Sequence, residues 1–209
     1  MLGCTTNTHM VKDRKERIIY KALELYLING YENVSITDLQ SALDMGRGTM
    51  YYHFKNKDEI YIEIVNRFFL RPKQEMLRMR DDIRVSGMIE ALLRYFRFLE
   101  ASLMELENKN INTSNVIMLL YSAYHRFPEL YRKAHRLYAA EQAMWLKALR
   151  NSVQAGEVRR DVPLEVTATL FTQVKDGYDA GRSGVQMDFD MVRKQYQLLY
   201  SLIRTQPDK

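Results

Sequence analysis

The stretch from Ser35 to Ile60, SITDLQSALDMGRGTMYYHFKNKDEI, leaves little freedom to any chain that contains it. Ser35 is a good helix N-cap, and Asp38 stands three residues on, where a carboxylate can meet the first-turn amides. Ile36, Leu39, Ala42 and Leu43 then make an apolar stripe over two turns. Asp44 to Gly48 carries turn chemistry, and Thr49 to Phe54 reads as a second short helix. Asn56 caps a third helix, with Glu59 in the reciprocal capping-box position. Helices this short do not hold alone in water, so both must pack on neighbours. A helix-turn-helix that offers its second helix to DNA is the natural reading.

Successive helical residues turn by about 100°, which gives that second helix two faces. Met50 and Phe54 share one and anchor it to the body, while Gly48, Thr49 and Tyr52 point away. Tyr51 and His53 fall on the flanks, and Arg47 stands at the exposed N-terminal end. Hydrogen-bonding and aromatic groups, a cation and a bare glycine suit phosphate oxygens and base edges.

The run DMGRGTMYYHFKNKDEIY is similar to the recognition-helix signature of TetR/AcrR-family transcriptional regulators, roughly Gly-Val-Ser-Lys-Gly-Thr-Leu-Tyr-Tyr-His-Phe-Lys-Ser-Lys-Glu-Glu-Leu. Ser35 to Leu43 resembles the helix before it, and Arg17 to Tyr31 the family's first helix with its closing Asn-Gly-Tyr. Asp44 replaces the usual turn glycine, Gly46 a serine that often caps the recognition helix, and Gln40 a small alanine. The resemblance covers about the first third of the chain and implies an all-α fold of about nine helices. Its parts are a three-helix helix-turn-helix head at 11–70, after a disordered 1–10, and a helical ligand-binding and dimerisation domain at 71–209. It also implies a homodimer on a near-palindromic double-stranded DNA operator, released by a small-molecule effector. Arg47, Gly48, Thr49, Tyr51, Tyr52 and His53 are then expected at the major groove, with Thr37 and Lys57 on phosphates.

Composition agrees. Nine glycines and four prolines among 209 residues, with almost no β-branched alternation, favour helices throughout. The net charge of +5 leans toward a polyanionic partner, and Lys12, Arg14, Lys15, Arg17 and Lys21 give the first helix a cationic approach. Cys4 is the only cysteine, so there is no internal disulfide, and no apolar run approaches the ~20 residues of a membrane span. A cytoplasmic protein without a membrane partner is expected. The four histidines have no metal-like spacing, and neither a dinucleotide loop, a P-loop nor a Gly-x-Ser-x-Gly elbow appears. No cofactor, metal or enzymatic activity is expected.

Further on, Pro72 predicts a kink near Leu70–Pro72 with helix resuming through Arg80, and Ser86 predicts the cap of the next helix. Tyr95, Phe98, Tyr121, Tyr124, His125, Tyr131 and Trp145 are candidates for an aromatic effector cavity; a packed aromatic core is the alternative. The last two helices carry apolar residues around much of their circumference, so two packing partners are implied. Leu170, Val174, Tyr178, Tyr196, Leu199 and Ile203 are the candidates for a subunit interface. Two rival readings stay open: the same fold controlled by a protein partner, and an enzyme on a helical scaffold.

Overall fold

The computed structural model describes the backbone of residues 5–108, 111–181 and 189–205, and the side chains of 14–108, 111–174 and 190–205. Among these residues the chain is helical, without a strand. The head holds α1 (Thr5–Asn29), α2 (Ile36–Leu43) and α3 (Arg47–His53). One continuous helix follows, α4, made of Lys57–Ile64, a π-helical Val65–Leu70 and Arg71–Met76. The rest is α5 (Val85–Met104), α6 (Thr113–Arg126), α7 (Pro128–Gln154), α8 (Leu164–Gly181) and α9 (Phe189–Ile203). Counted this way there are nine helices among the described residues. Helical backbone already begins at Thr5, inside the stretch read as disordered, because each residue added to an existing helix gains a hydrogen bond.

Two apolar cores organise the packing. Ile18, Ile19 and Leu23 of α1 meet Leu39 of α2, Met50 of α3 and Ile60 and Ile64 of α4, all fully buried. That core runs on into Leu119, Ala123 and Phe127, so α6 is fastened to the head although it lies far beyond residue 70 in the chain. The second core joins Met88 and Leu92 of α5, Trp145 and Leu149 of α7, Phe171 of α8 and Val192 of α9. The C-terminal end is tied to the α7–α8 corner by Arg159 N–H on the Ile203 carbonyl (3.0 Å) and Thr205 N–H on that of Glu157 (3.0 Å).

Pro72 does not break α4. Proline lacks an amide hydrogen, and its ring crowds the carbonyl four residues back. The wide π turn before it, in which the Arg71 amide reaches the Asn66 carbonyl, makes the room, and the helix runs through to end at Met76 instead of Arg80. The expected Ser86 cap is also replaced. The helix starts at Val85, whose amide is capped from another helix by the Ser152 hydroxyl at 3.1 Å.

Candidate nucleic-acid interface

The predicted Ser35 capping box is present: the Asp38 amide donates to Ser35 Oγ at 3.1 Å, and the Ser35 amide to Asp38 Oδ2 at 2.7 Å. The Ser35 amide and then the Ser35 hydroxyl, both donating to that carboxylate, hold Asp38 below its ordinary pKa. At the far end of α2, Asp44 adopts a left-handed conformation (φ 49°, ψ 48°), the only residue other than glycine with positive φ among those described. The Met45 amide reaches back to the Gln40 carbonyl (3.0 Å) and the Asp44 amide to that of Ser41 (3.3 Å), closing the corner that aims α3.

The helix α3 shows the two faces its periodicity implies. Met50 is wholly buried and Phe54 nearly so, while Tyr52 is 74% exposed and Arg47, Gly48 and Tyr51 lie open beside it. Thr49 and His53 are half-buried. Arg47 stacks its guanidinium over the Tyr51 ring at 5.5 Å, and Tyr52 and His53 meet edge to face at 5.0 Å. A Cβ added at Gly48 would find nothing within 4 Å, so the glycine leaves open space on the outer face. Burial chiefly, then the charges of Lys15 and Arg14, holds His53 below its ordinary pKa. Arg14 and Lys15 of α1 thus border α3, with Lys15 lying over the Phe54 ring at 5.3 Å. Lys21, by contrast, is turned away and engaged with Glu24 and Glu107. Thr37 is exposed in the first turn of α2.

Lys57 has partners inside the head. Its ammonium donates to the carbonyls of Tyr31 (3.2 Å) and Val34 (3.3 Å) and lies 4.2 Å from the Tyr31 ring centroid. A long flexible stem lets it fold back over the α1–α2 turn, so it fastens the head internally. Asn56 caps α4 by accepting from the Glu59 amide at 2.9 Å, but the Glu59 carboxylate accepts from Lys55, one residue before the predicted partner.

The aromatic candidates part company. Tyr121 is 70% exposed, and Phe98, His125 and Tyr131 also face outward, so these four line no cavity in this arrangement. Spacing counted the aromatics but could not give their direction on helices that show solvent one whole side. Trp145 is in the core, stacked on Tyr196 (5.7 Å) and 4.7 Å from Phe171. Tyr95 and Tyr124 point inside; burial, then the neighbouring Tyr124 and Glu141, raises the Tyr95 phenol, and burial pushes Tyr124 up to about 12. A separate open groove of about 430 Å³ lies between α5 and α9, lined in part by Arg94, Arg97 and Arg193.

The interface candidates divide in the same way. Tyr196 is fully buried and donates to the Phe171 carbonyl at 3.1 Å, so it belongs to the protomer's own core. Leu199, Ile203 and Val174 are half-buried against that core, and the Tyr178 side chain lies outside the described residues. Of the six, Leu170 faces solvent, and it is joined by Val166, Leu198 and Leu202, which are not among the six.

Residues 18–64 match the model of the family described as bacterial regulatory proteins, tetR family. The biofilm operon icaADBC negative transcriptional regulator IcaR of Staphylococcus epidermidis is 29% identical over 82 residues, 39% of this chain and 44% of IcaR. This chain therefore spans less than half of IcaR in that match. The transcriptional repressor AcnR of Corynebacterium glutamicum is 21% identical over 168 residues, 78% of this chain and 79% of AcnR. The crystal structure of the TetR-family regulator PfmR from Thermus thermophilus superposes with a TM-score of 0.60 at 21% identity, covering 88% of this chain and 97% of PfmR.

Proposed function

We propose that the chain is a DNA-binding transcriptional regulator of the TetR family, a homodimeric repressor whose paired α3 helices read a near-palindromic operator until an effector releases them. The outer face of α3 carries the reading. Tyr52, Tyr51, Arg47 and the open backbone at Gly48 stand free, while Met50 and Phe54 fix their direction. In this reading Arg47, Gly48, Thr49, Tyr51, Tyr52 and His53 enter the major groove, Thr37 meets a phosphate at the N-terminal turn of α2, and Arg14 and Lys15 add cations at its edge. Lys57 acts indirectly, by holding the α1–α2 turn.

A helix of two turns reads too few bases for an operator, so two heads are needed, on half-sites on the order of 34 Å apart or a multiple of it. The exposed Val166 and Leu170 of α8 and Leu198 and Leu202 of α9 supply the apolar face on which a second copy fits. Among the described residues no helix is long and apolar enough to cross a membrane.

The test is binding to the DNA flanking the protein's own gene. A protected inverted repeat, with affinity lowered by Tyr52→Ala by about 1–3 kcal/mol while the fold stays intact, supports the reading. Unchanged affinity in that variant overturns the placement of α3. Dimerisation is read separately by sedimentation: Leu198→Glu with Leu202→Glu is expected to give monomers, and a wild type that is monomeric at micromolar concentration refutes the dimer.

A further inference from the structure

Along the middle of α7 the inward positions Leu137, Trp145, Ala148 and Leu149 are apolar and buried, yet Glu141 on the same face is fully buried too. A carboxylate withdrawn from water is costly unless a cation and good geometry compensate it, and an apolar residue there would pack at least as well. The cation is Lys73 of α4, with Nζ 2.6 Å from Oε2 and a side chain that is 16% exposed. The surroundings are aromatic. Trp145 lies one turn along α7, and its buried indole N–H has no hydrogen-bond partner. Tyr95 of α5 feels the charge of Glu141 and lies beside Tyr124 of α6. Three helices therefore converge on one negative charge beside two aromatic side chains, with Tyr124 of α6 next to the second of them.

The other buried carboxylate among the described residues makes the contrast. Glu24 takes Lys21 of its own helix at 2.7 Å and the Asn108 amide at 2.5 Å, and so fastens the α5–α6 loop to α1. Glu141 takes its cation from α4, the helix that starts in the DNA-reading head. Lys73 stands just beyond the π-helical Val65–Leu70, a wide turn of the kind frequent at functional sites. Before it, Lys133 of α7 donates to Asn66 at 2.7 Å, a second tie between the same two helices.

We propose that Glu141 anchors the effector and that the effector is a small organic ammonium ion that takes the place of the Lys73 ammonium. The proposal rests on the reading of the protein as an effector-controlled regulator and names the chemistry of its effector. Exchanging one cation for another leaves the buried charge unchanged, so no bare carboxylate is ever left in the core. Lys73 is near enough to the surface to swing into water, and the space it leaves sets the ligand's size. An alkylated ammonium sheds its hydration more readily than a primary one and can lie against the π faces of the tyrosines. With Lys73 released, α4 beyond the π turn is freed from α7 while the Lys133–Asn66 tie stays as a pivot. The effector acts through its preference for that conformer.

Trp145 is the only tryptophan, so its fluorescence reports the site directly. The full-length protein is titrated with tetramethylammonium and its ethyl homologue, with tert-butanol as an uncharged control of similar size. A saturable change is expected with the cations and none with the alcohol, accompanied by weaker operator binding. Glu141→Gln should abolish the response, and Lys73→Met should tighten cation binding by roughly tenfold, because the internal competitor is gone. The double variant Lys73→Met with Glu141→Leu removes both charges, is expected to fold, and should ignore the cations. Cation binding undiminished in Glu141→Gln overturns the proposal. So does the lack of a saturable response in both wild type and Lys73→Met, with operator binding intact; absence of DNA binding in the unliganded wild type removes the regulator reading along with it.

Discussion

The guanidinium of Arg126 lies 4.5 Å from the centroid of the Tyr31 ring. Tyr31 closes the α1–α2 turn of the head, and Arg126 is the last residue of α6. Lys57 also approaches the ring, at 4.2 Å, and Phe127 meets it edge to face at 6.2 Å. The Tyr31 hydroxyl donates to Asp58 in the first turn of α4. One tyrosine thereby gathers α1, α4 and α6 at the point where the head joins the body. Burial and the Asp58 hydrogen bond raise its phenol well above the ordinary value, so it stays a donor across the working pH range.

This arrangement separates two contributions of Arg126, which also pairs with the exposed Glu32. A partly desolvated cation–π contact is worth about 0.5–2 kcal/mol, whereas an exposed ion pair contributes about 0–1 kcal/mol and fades with salt. Arg126→Ala should therefore destabilise the protein by about 1 kcal/mol in urea unfolding, and Glu32→Ala by clearly less. The opposite order would show that the corner is held by the ion pair.

Asp44 predicts an easy gain. An L-residue other than glycine in the left-handed region costs about 1–2 kcal/mol, partly recovered for aspartate by its short polar side chain. Asp44→Gly is expected to stabilise the protein by about 0.5–1 kcal/mol, net of glycine's greater freedom when unfolded. For a chain of this length that is a rise of about 2–4 °C in Tm per kcal/mol. A lower Tm would mean that the Asp44 side chain supports the corner in a way its exposed position does not suggest.

His53 is expected to give opposite pH dependences for folding and for DNA binding. Its pKa in the folded protein is lowered, so the unfolded chain binds more protons, and this contribution to stability, present above the ordinary histidine value, is lost as pH falls below it. Phosphates beside the imidazole would raise the pKa in the complex. Binding then takes up a proton, and affinity should grow as pH is lowered from 8 towards 6, by about tenfold for each unit separating free from bound pKa. The comparison is operator affinity against pH in wild type and His53→Gln. Equal slopes would place His53 away from the phosphates.

How far the sequence speaks depends on what kind of information periodicity holds. The directions of Met50, Phe54 and Tyr52 were legible because a helix of known pitch and one fixed anchor leave one orientation. The Ser35 and Asn56 caps were legible for the same reason: cap and partner lie within a turn. The contacts of Lys57 with the carbonyls of Tyr31 and Val34 were not legible, because those partners come from a distant turn of the chain. Tyr196 was misread because α9 carries two apolar stripes, and nothing local says which one meets the protomer's own core. The Lys73–Glu141 pair joins residues far apart in the chain, and a lone glutamate on an amphipathic helix reads as solvated.

Gly48 offers the sharpest test of α3 as the reading element, because stability and affinity should move apart. It is exposed inside a short helix, and a Cβ there meets nothing within 4 Å. Replacing glycine by alanine inside a helix gains about 1 kcal/mol, so Gly48→Ala should fold more stably than wild type. A better-formed α3 would by itself favour DNA binding. If the backbone at Gly48 lies against the duplex, however, the added methyl must displace it, and operator affinity should fall at least about tenfold, some 1.4 kcal/mol. Thermal unfolding and operator titration of the same preparation decide the matter: a variant that is more stable and binds as well as or better than wild type would put the backbone of α3 out of contact with the DNA.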